Sequence, residues 1–172
     1  MQAPKPVEPA GSAMSITVGD EDLVDVRGPH HDSLVISIQI SWATVSRVLI
    51  DGDNAVNIMM LGALKALGID EDKVVKKATS LVGFSGESKK SLGEISLLIY
   101  VDATTSSEKF CVLDCQSPYN VILGRPWIHN MRAVPSTLHQ CVKILSKYGV
   151  TSFRVDQGIS QECYGVRLKP PR

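Results

Sequence analysis

The stretch Arg47-Val48-Leu49-Ile50-Asp51-Gly52-Asp53-Asn54-Ala55-Val56-Asn57-Ile58 holds the residues best suited to chemistry. Three apolar residues run into Asp51, and a polar turn follows at once. A buried strand of this kind fixes a carboxylate, and Asp, Asn and Gly then let the chain turn and expose it. A fixed, accessible carboxylate is suited to general acid–base work. Asp53 is the other acid in the turn, but its upstream neighbours are not apolar, so the strand support belongs to Asp51. The plainer reading is a strand-end turn carboxylate with no chemistry.

The elements around this stretch read mostly as strands. Residues 33–41 alternate with period two, placing Leu34, Ile36, Ile38 and Ile40 on one face. Trp42-Ala43-Thr44 turns the chain, and Val45 to Asp51 returns as the second arm of a hairpin. Ile58 to Leu67 has apolar residues at helical spacing, with Gly68 as the stop. Ser80 to Val101 reads as two strands around a loop at Gly86 to Ser91. Phe110 to Asp114 and Asn120 to Leu123 are short strands, and Leu138 to Leu145 is the last. Arg125-Pro126-Trp127 opens a short helix, because proline is tolerated in a first turn; Trp127 reads as a core anchor. Residues 1–27 are rich in Pro, Gly and acid and read as a flexible linker. The domain itself is expected over 28–146, with 147–172 as a less apolar C-terminal extension.

Several segments, in this order along the chain, resemble the protease domain of plant gypsy-type LTR retrotransposon polyproteins, a retropepsin-like aspartic protease. Pro29-His30-His31-Asp32-Ser33-Leu34-Val35-Ile36-Ser37-Ile38 is similar to its opening strand. The Asp51 stretch stands where the catalytic motif belongs. Leu81-Val82-Gly83-Phe84-Ser85-Gly86-Glu87 resembles the flap, and Tyr119-Asn120-Val121-Ile122-Leu123-Gly124-Arg125-Pro126-Trp127-Ile128 resembles the hydrophobic-hydrophobic-Gly strand with its helix. Arg132 to His139 continues in the same style, and Val155-Asp156-Gln157 and Glu162-Cys163-Tyr164 look like the run toward reverse transcriptase.

The resemblance implies an all-β, barrel-like single lobe with a flap hairpin and one or two short helices. It also implies an endopeptidase needing no metal or cofactor. Two carboxylates share one proton across a bound water in such enzymes, because like charges so close cannot both ionise. One chain supplies one motif, so two chains must pair about a two-fold axis, each donating Asp51. An extended peptide or polyprotein would lie under flaps formed by Gly83, Phe84, Ser85 and Gly86, which exclude water on closing. Ile122, Leu123 and Gly124 would support the site, the glycine letting two chain segments cross.

The active-site turn departs from the pattern Asp-Thr/Ser/Gly-Gly-Ser/Ala. Gly52 offers no hydroxyl. Asp53 stands where the family has glycine; a side chain there threatens a clash and adds a carboxylate that disfavours the singly ionised pair. Asn54 replaces a small hydroxyl, but its amide can still donate a hydrogen bond. These changes keep open a second reading, a catalytically inactive module of the same fold that binds peptide or dimerises.

Composition narrows the alternatives. The chain has 172 residues, 18 Lys and Arg against 18 Asp and Glu, and so no global field to draw it to nucleic acid or an acidic membrane. The pairs Lys76-Lys77 and Lys89-Lys90 read as solvated turns. Four cysteines form no framework: Cys111 and Cys115 on one strand would sit roughly 13 Å apart, and no spacing with Cys141, Cys163 or a histidine suggests zinc. His30-His31-Asp32 would put its histidines on opposite faces of a strand, and no nucleophile motif accompanies them. The N-terminal segment has no apolar signal core, and no run is long enough to span a bilayer. The expectation is a soluble, intracellular, cytoplasmic protein without nucleic-acid or membrane partners.

Overall fold

A computed structural model describes residues 16–19, 33–77, 80–82, 88–102, 104–147, 149–154 and 168–169. The expected hairpin opens it. Strand β1 (Leu34–Ile40) pairs antiparallel with β2 (Ala43–Ile50) across a turn at Ser41 and Trp42. Leu34, Ile36, Ile38 and Ile40 are all buried, as the alternation requires. The register shifts between Ile36 and Ile38, opposite Ser46 and Arg47, where Arg47 takes a φ of 56°. Such a bulge bends its strand and frees backbone groups from the ladder. The freed carbonyls find a partner in Asn120, whose N–H donates to Arg47 O at 3.0 Å and whose Nδ2 donates to Ser46 O at 2.7 Å.

Next come β3 (Asn57–Met60), α1 (Leu61–Ala66) and a single 3-10 turn (Glu71–Lys73). Strands β4 (Ser80–Val82) and β5 (Ser88–Lys90) pair antiparallel. They are followed by β6 (Gly93–Val101), β7 (Thr104–Leu113), β8 (Val121–Leu123), α2 (Arg125–Asn130), β9 (Ala133–Ser136), β10 (Cys141–Ser146), β11 (Gly149–Arg154) and β12 (Leu168–Lys169). The main sheet runs β1-β6-β7-β3-β8-β2-β12, and β1 also pairs with β2. The first six strands therefore close into a barrel, which removes their free edges. Strands β9, β10 and β11 form a separate antiparallel sheet.

The core follows the strand period. Met59, Phe110, Val112, Val121 and Leu123 face the barrel interior with Trp127, while Ile58, Met60, Cys111, Leu113 and Ile122 form a second cluster on the other face. Strands buried on both faces read as continuous apolar runs, and each fully buried Leu, Ile or Val contributes about 1.5–3 kcal/mol.

The expected helix over Ile58–Leu67 needs correction. Residues 57–60 are strand, inserted between β7 and β8, and the helix begins only at Leu61. A short run of apolar residues fits either element by pattern alone, and here pairing on both sides decides. Strand β9 lies in a stretch to which the sequence pattern assigned no element, and the last expected strand starts at Cys141 rather than Leu138. Strand β11 pairs with β10 along its whole length, so this hairpin crosses residue 146, where the domain was expected to end. Cys115 lies beyond the end of β7, and Cys111, Cys115 and Cys141 are free thiols. No described helix is long and apolar enough to cross a membrane.

Candidate active site

Asp51 sits immediately after β2, half-buried, with Gly52 and Asp53 exposed beside it. The turn folds back on its own carboxylate. Asp53 N–H donates to Asp51 Oδ1 at 3.0 Å, and Asn54 Nδ2 donates to Asp51 Oδ2 at 3.4 Å. Asn54 N–H closes the turn on Asp51 O at 3.2 Å. Each carboxylate oxygen thus has one donor, and the group stays open to solvent on its outer side.

Three consecutive residues at the end of β8 grip this turn. Strand β8 runs parallel to β2, pairing Leu123 with Ile50, and antiparallel to β3 on its other side. The segment 51–56 must therefore arch over the end of β8 to join β2 to β3. Leu123 O accepts from Asp51 N–H at 3.0 Å, Gly124 N–H donates to Asn57 Oδ1 at 2.9 Å, and Arg125 N–H donates to Asn54 O at 2.9 Å. Contact is closest at Gly124, where a Cβ would lie 2.4 Å from Val56 O and 2.6 Å from Asn54 O. Only glycine permits that approach. Arg125 also reaches the turn with its side chain, Nη1 donating to Gly52 O at 3.4 Å.

The sequence-predicted residues Asp51, Gly52, Asp53, Asn54, Leu123 and Gly124 are thus brought together. Ile122 supports them from the second apolar cluster. The flap residues Gly83, Phe84, Ser85 and Gly86 lie outside the described residues, as do His30, His31 and Asp32. Strands β4 and β5 flank the flap segment on either side. Asp53 is absent from the residues of positive φ, so its backbone asks nothing that only glycine gives. The residue is exposed in the single chain. Gly52 has room for a Cβ, the nearest atom being Ile128 Cδ1 at 4.0 Å.

Asn57 and Arg125 were given no role at the site from the sequence. The only signal was their place beside the Asp51 stretch and the Leu123-Gly124 pair, because both act through segments far apart in the chain. No group of three or more His, Cys, Asp or Glu among the described residues is placed to hold a metal ion.

A closed barrel in which a glycine-terminated strand supports a carboxylate-bearing turn defines a retropepsin-like fold. The retroviral protease-like domain of Ddi1 from Leishmania major has this fold too, with a TM-score of 0.58 and 15% identity over 74% of this chain and 96% of that one. At that identity the likeness is one of fold. No protein-family model matches the chain, and no curated protein matches it by sequence.

Proposed function

We propose that this chain is an aspartic-type endopeptidase domain of a retrotransposon-type polyprotein, active as a homodimer in which each chain donates Asp51. The observation that carries the reading is the hold on Asp51: a donor on each carboxylate oxygen and a backbone clamp from Leu123, Gly124 and Arg125. Catalytic carboxylates must be fixed before substrate arrives, since misplacement by about 1 Å can cost roughly 100-fold in rate. Asn54 supports the reading, because its amide supplies the hydrogen bond that a small hydroxyl would give. The backbone of Asp53 needs no conformation reserved for glycine, which is compatible with the reading.

In the proposed dimer one Asp51 takes a proton from water while the other, protonated, polarises the scissile carbonyl. An extended peptide would lie across the pair, under the segment joining β4 to β5. The exposed carboxylate of Asp53 favours a second reading, a peptide-binding or dimerisation module, because two extra charges would crowd the shared proton.

Cleavage of a peptide library between about pH 4 and 7 by the purified chain separates the two. The endopeptidase reading expects cleavage that Asp51→Ala reduces roughly 10²–10⁴-fold or more. A folded, dimeric chain that cleaves nothing, and gains cleavage on Asp53→Gly with Asn54→Ser, would establish the module instead.

A further inference from the structure

Behind the carboxylate turn lies a buried polar group that the chemistry of Asp51 does not use. Glu108, on β7, is only 4% exposed, and no described cation lies within ion-pair distance of it. Its Oε1 accepts from Asn130 Nδ2 at 2.7 Å, at the last residue of α2. Its Oε2 accepts from Asn57 Nδ2 at 3.4 Å. Asn57, itself 1% exposed, also donates through Nδ2 to Lys109 O at 3.2 Å. The other end of the same amide, Oδ1, accepts from Gly124 N–H.

The two ends of an asparagine amide are nearly the same size, so shape alone does not orient it. Here chemistry does. A carboxylate and a carbonyl only accept, so Glu108 together with Lys109 O draws the NH2 end of Asn57 toward β7 and leaves the oxygen facing Gly124 N–H. Removing the carboxylate leaves Lys109 O as the one remaining acceptor on the NH2 end, so the amide turns over more readily, and a turned amide strips Gly124 of its partner. Burying a carboxylate without a cation is costly, and an apolar residue would fill the space more cheaply. The amides of Asn130 and Asn57 offset part of that cost, and both belong to segments that meet at the turn.

We propose that Glu108 is a positioning residue for the active-site turn, acting through Asn57 on Gly124 and so on the arch that carries Asp51. Asn130 ties the same carboxylate to α2, so that turn, sheet and helix are held as one body. The role in catalysis rests on the endopeptidase reading; the structural coupling does not.

The test uses the full chain with Asn57→Asp, Glu108→Gln and the two combined. Asn57→Asp sets two carboxylates face to face, and Glu108→Gln sets an amide NH2 toward one of the two it must accept from. Combined, the aspartate accepts from Gly124 N–H and from the glutamine amide, whose oxygen accepts from Asn130. Amide-proton exchange at Gly124, followed by NMR, should quicken about 10- to 100-fold in each single variant and recover in part in the double, where the new carboxylate gains the glutamine donor but still meets Lys109 O. Where the parent chain cleaves peptide, kcat should fall in the single variants with KM little changed, and recover with the exchange. Unchanged exchange in both single variants overturns the proposal, as does a double variant whose loss is the sum of the two. Should Asn57→Asp fail to fold, Glu108→Leu decides: a folded variant with faster Gly124 exchange supports the coupling, and one with parental exchange refutes it. A parent chain that cleaves nothing counts against the endopeptidase reading alone, because the exchange reads the turn without turnover.

Discussion

Residues 51–57 and the sheet β9–β11 solve the same problem, holding backbone in place, by different means. The turn is held by Leu123, Gly124 and Arg125, remote in sequence, and by side chains from β3 and the turn itself. The sheet holds itself through neighbours in sequence: Ser136 pairs with Cys141 and Ser146 with Gly149 across successive turns. Its inner residues Val142 and Ile144 join the core, while Val134, Leu138 and Val150 stay exposed. A sheet built from local pairing tolerates change at its surface. A turn that must place one carboxylate is assembled from several elements, and it tolerates little.

Substitution breaks or sharpens this contrast. Gly124→Ala should have the largest effect, because the new methyl meets two backbone carbonyls that cannot move separately from the turn. A loss of about 3 kcal/mol or more in denaturant unfolding is expected. Val150→Thr, on the exposed face of β11, should stay within about 0.5 kcal/mol of the parent. Similar losses at the two positions would erase the distinction.

The smallest effect concerns Cys111, in the second apolar cluster behind β3. Burial pushes its thiol above the ordinary 9.0, Glu94 adds to the rise, and Lys109 opposes it. The folded chain then keeps that proton to higher pH than the unfolded chain does. Stability from this source is complete below the ordinary thiol value and declines as pH climbs past it. Thiol labelling near neutral pH should accordingly reach half-buried Cys115 well before Cys111.

How much of this was legible in the sequence differs from region to region. The alternation of Leu34, Ile36, Ile38 and Ile40 gave away β1, and the apolar run into Asp51 gave away both the strand and its turn. Local pattern carries such information because side chains alternate across a sheet. Strand β3 was misread as helix because a run buried on both faces has no alternation to read. The bulge at Arg47 left no mark, since a positive φ at arginine follows from the tertiary demand for Asn120's two hydrogen bonds. Asn57 and Glu108 were invisible as a pair, being 51 residues apart, and only the parallel pairing of β3 with β7 brings them together.

The central claim is that two copies of Asp51 make one site, and mixing active chain with an inactive copy tests it most directly. Parent chain at a fixed concentration is titrated with Asp51→Ala, and peptide cleavage is followed. The account predicts that activity per parent molecule falls as mixed dimers with a single carboxylate accumulate, and that without the variant the rate rises faster than linearly at low concentration. Activity that scales linearly with parent chain and ignores the variant would contradict it, as would the absence of cleavage at every concentration.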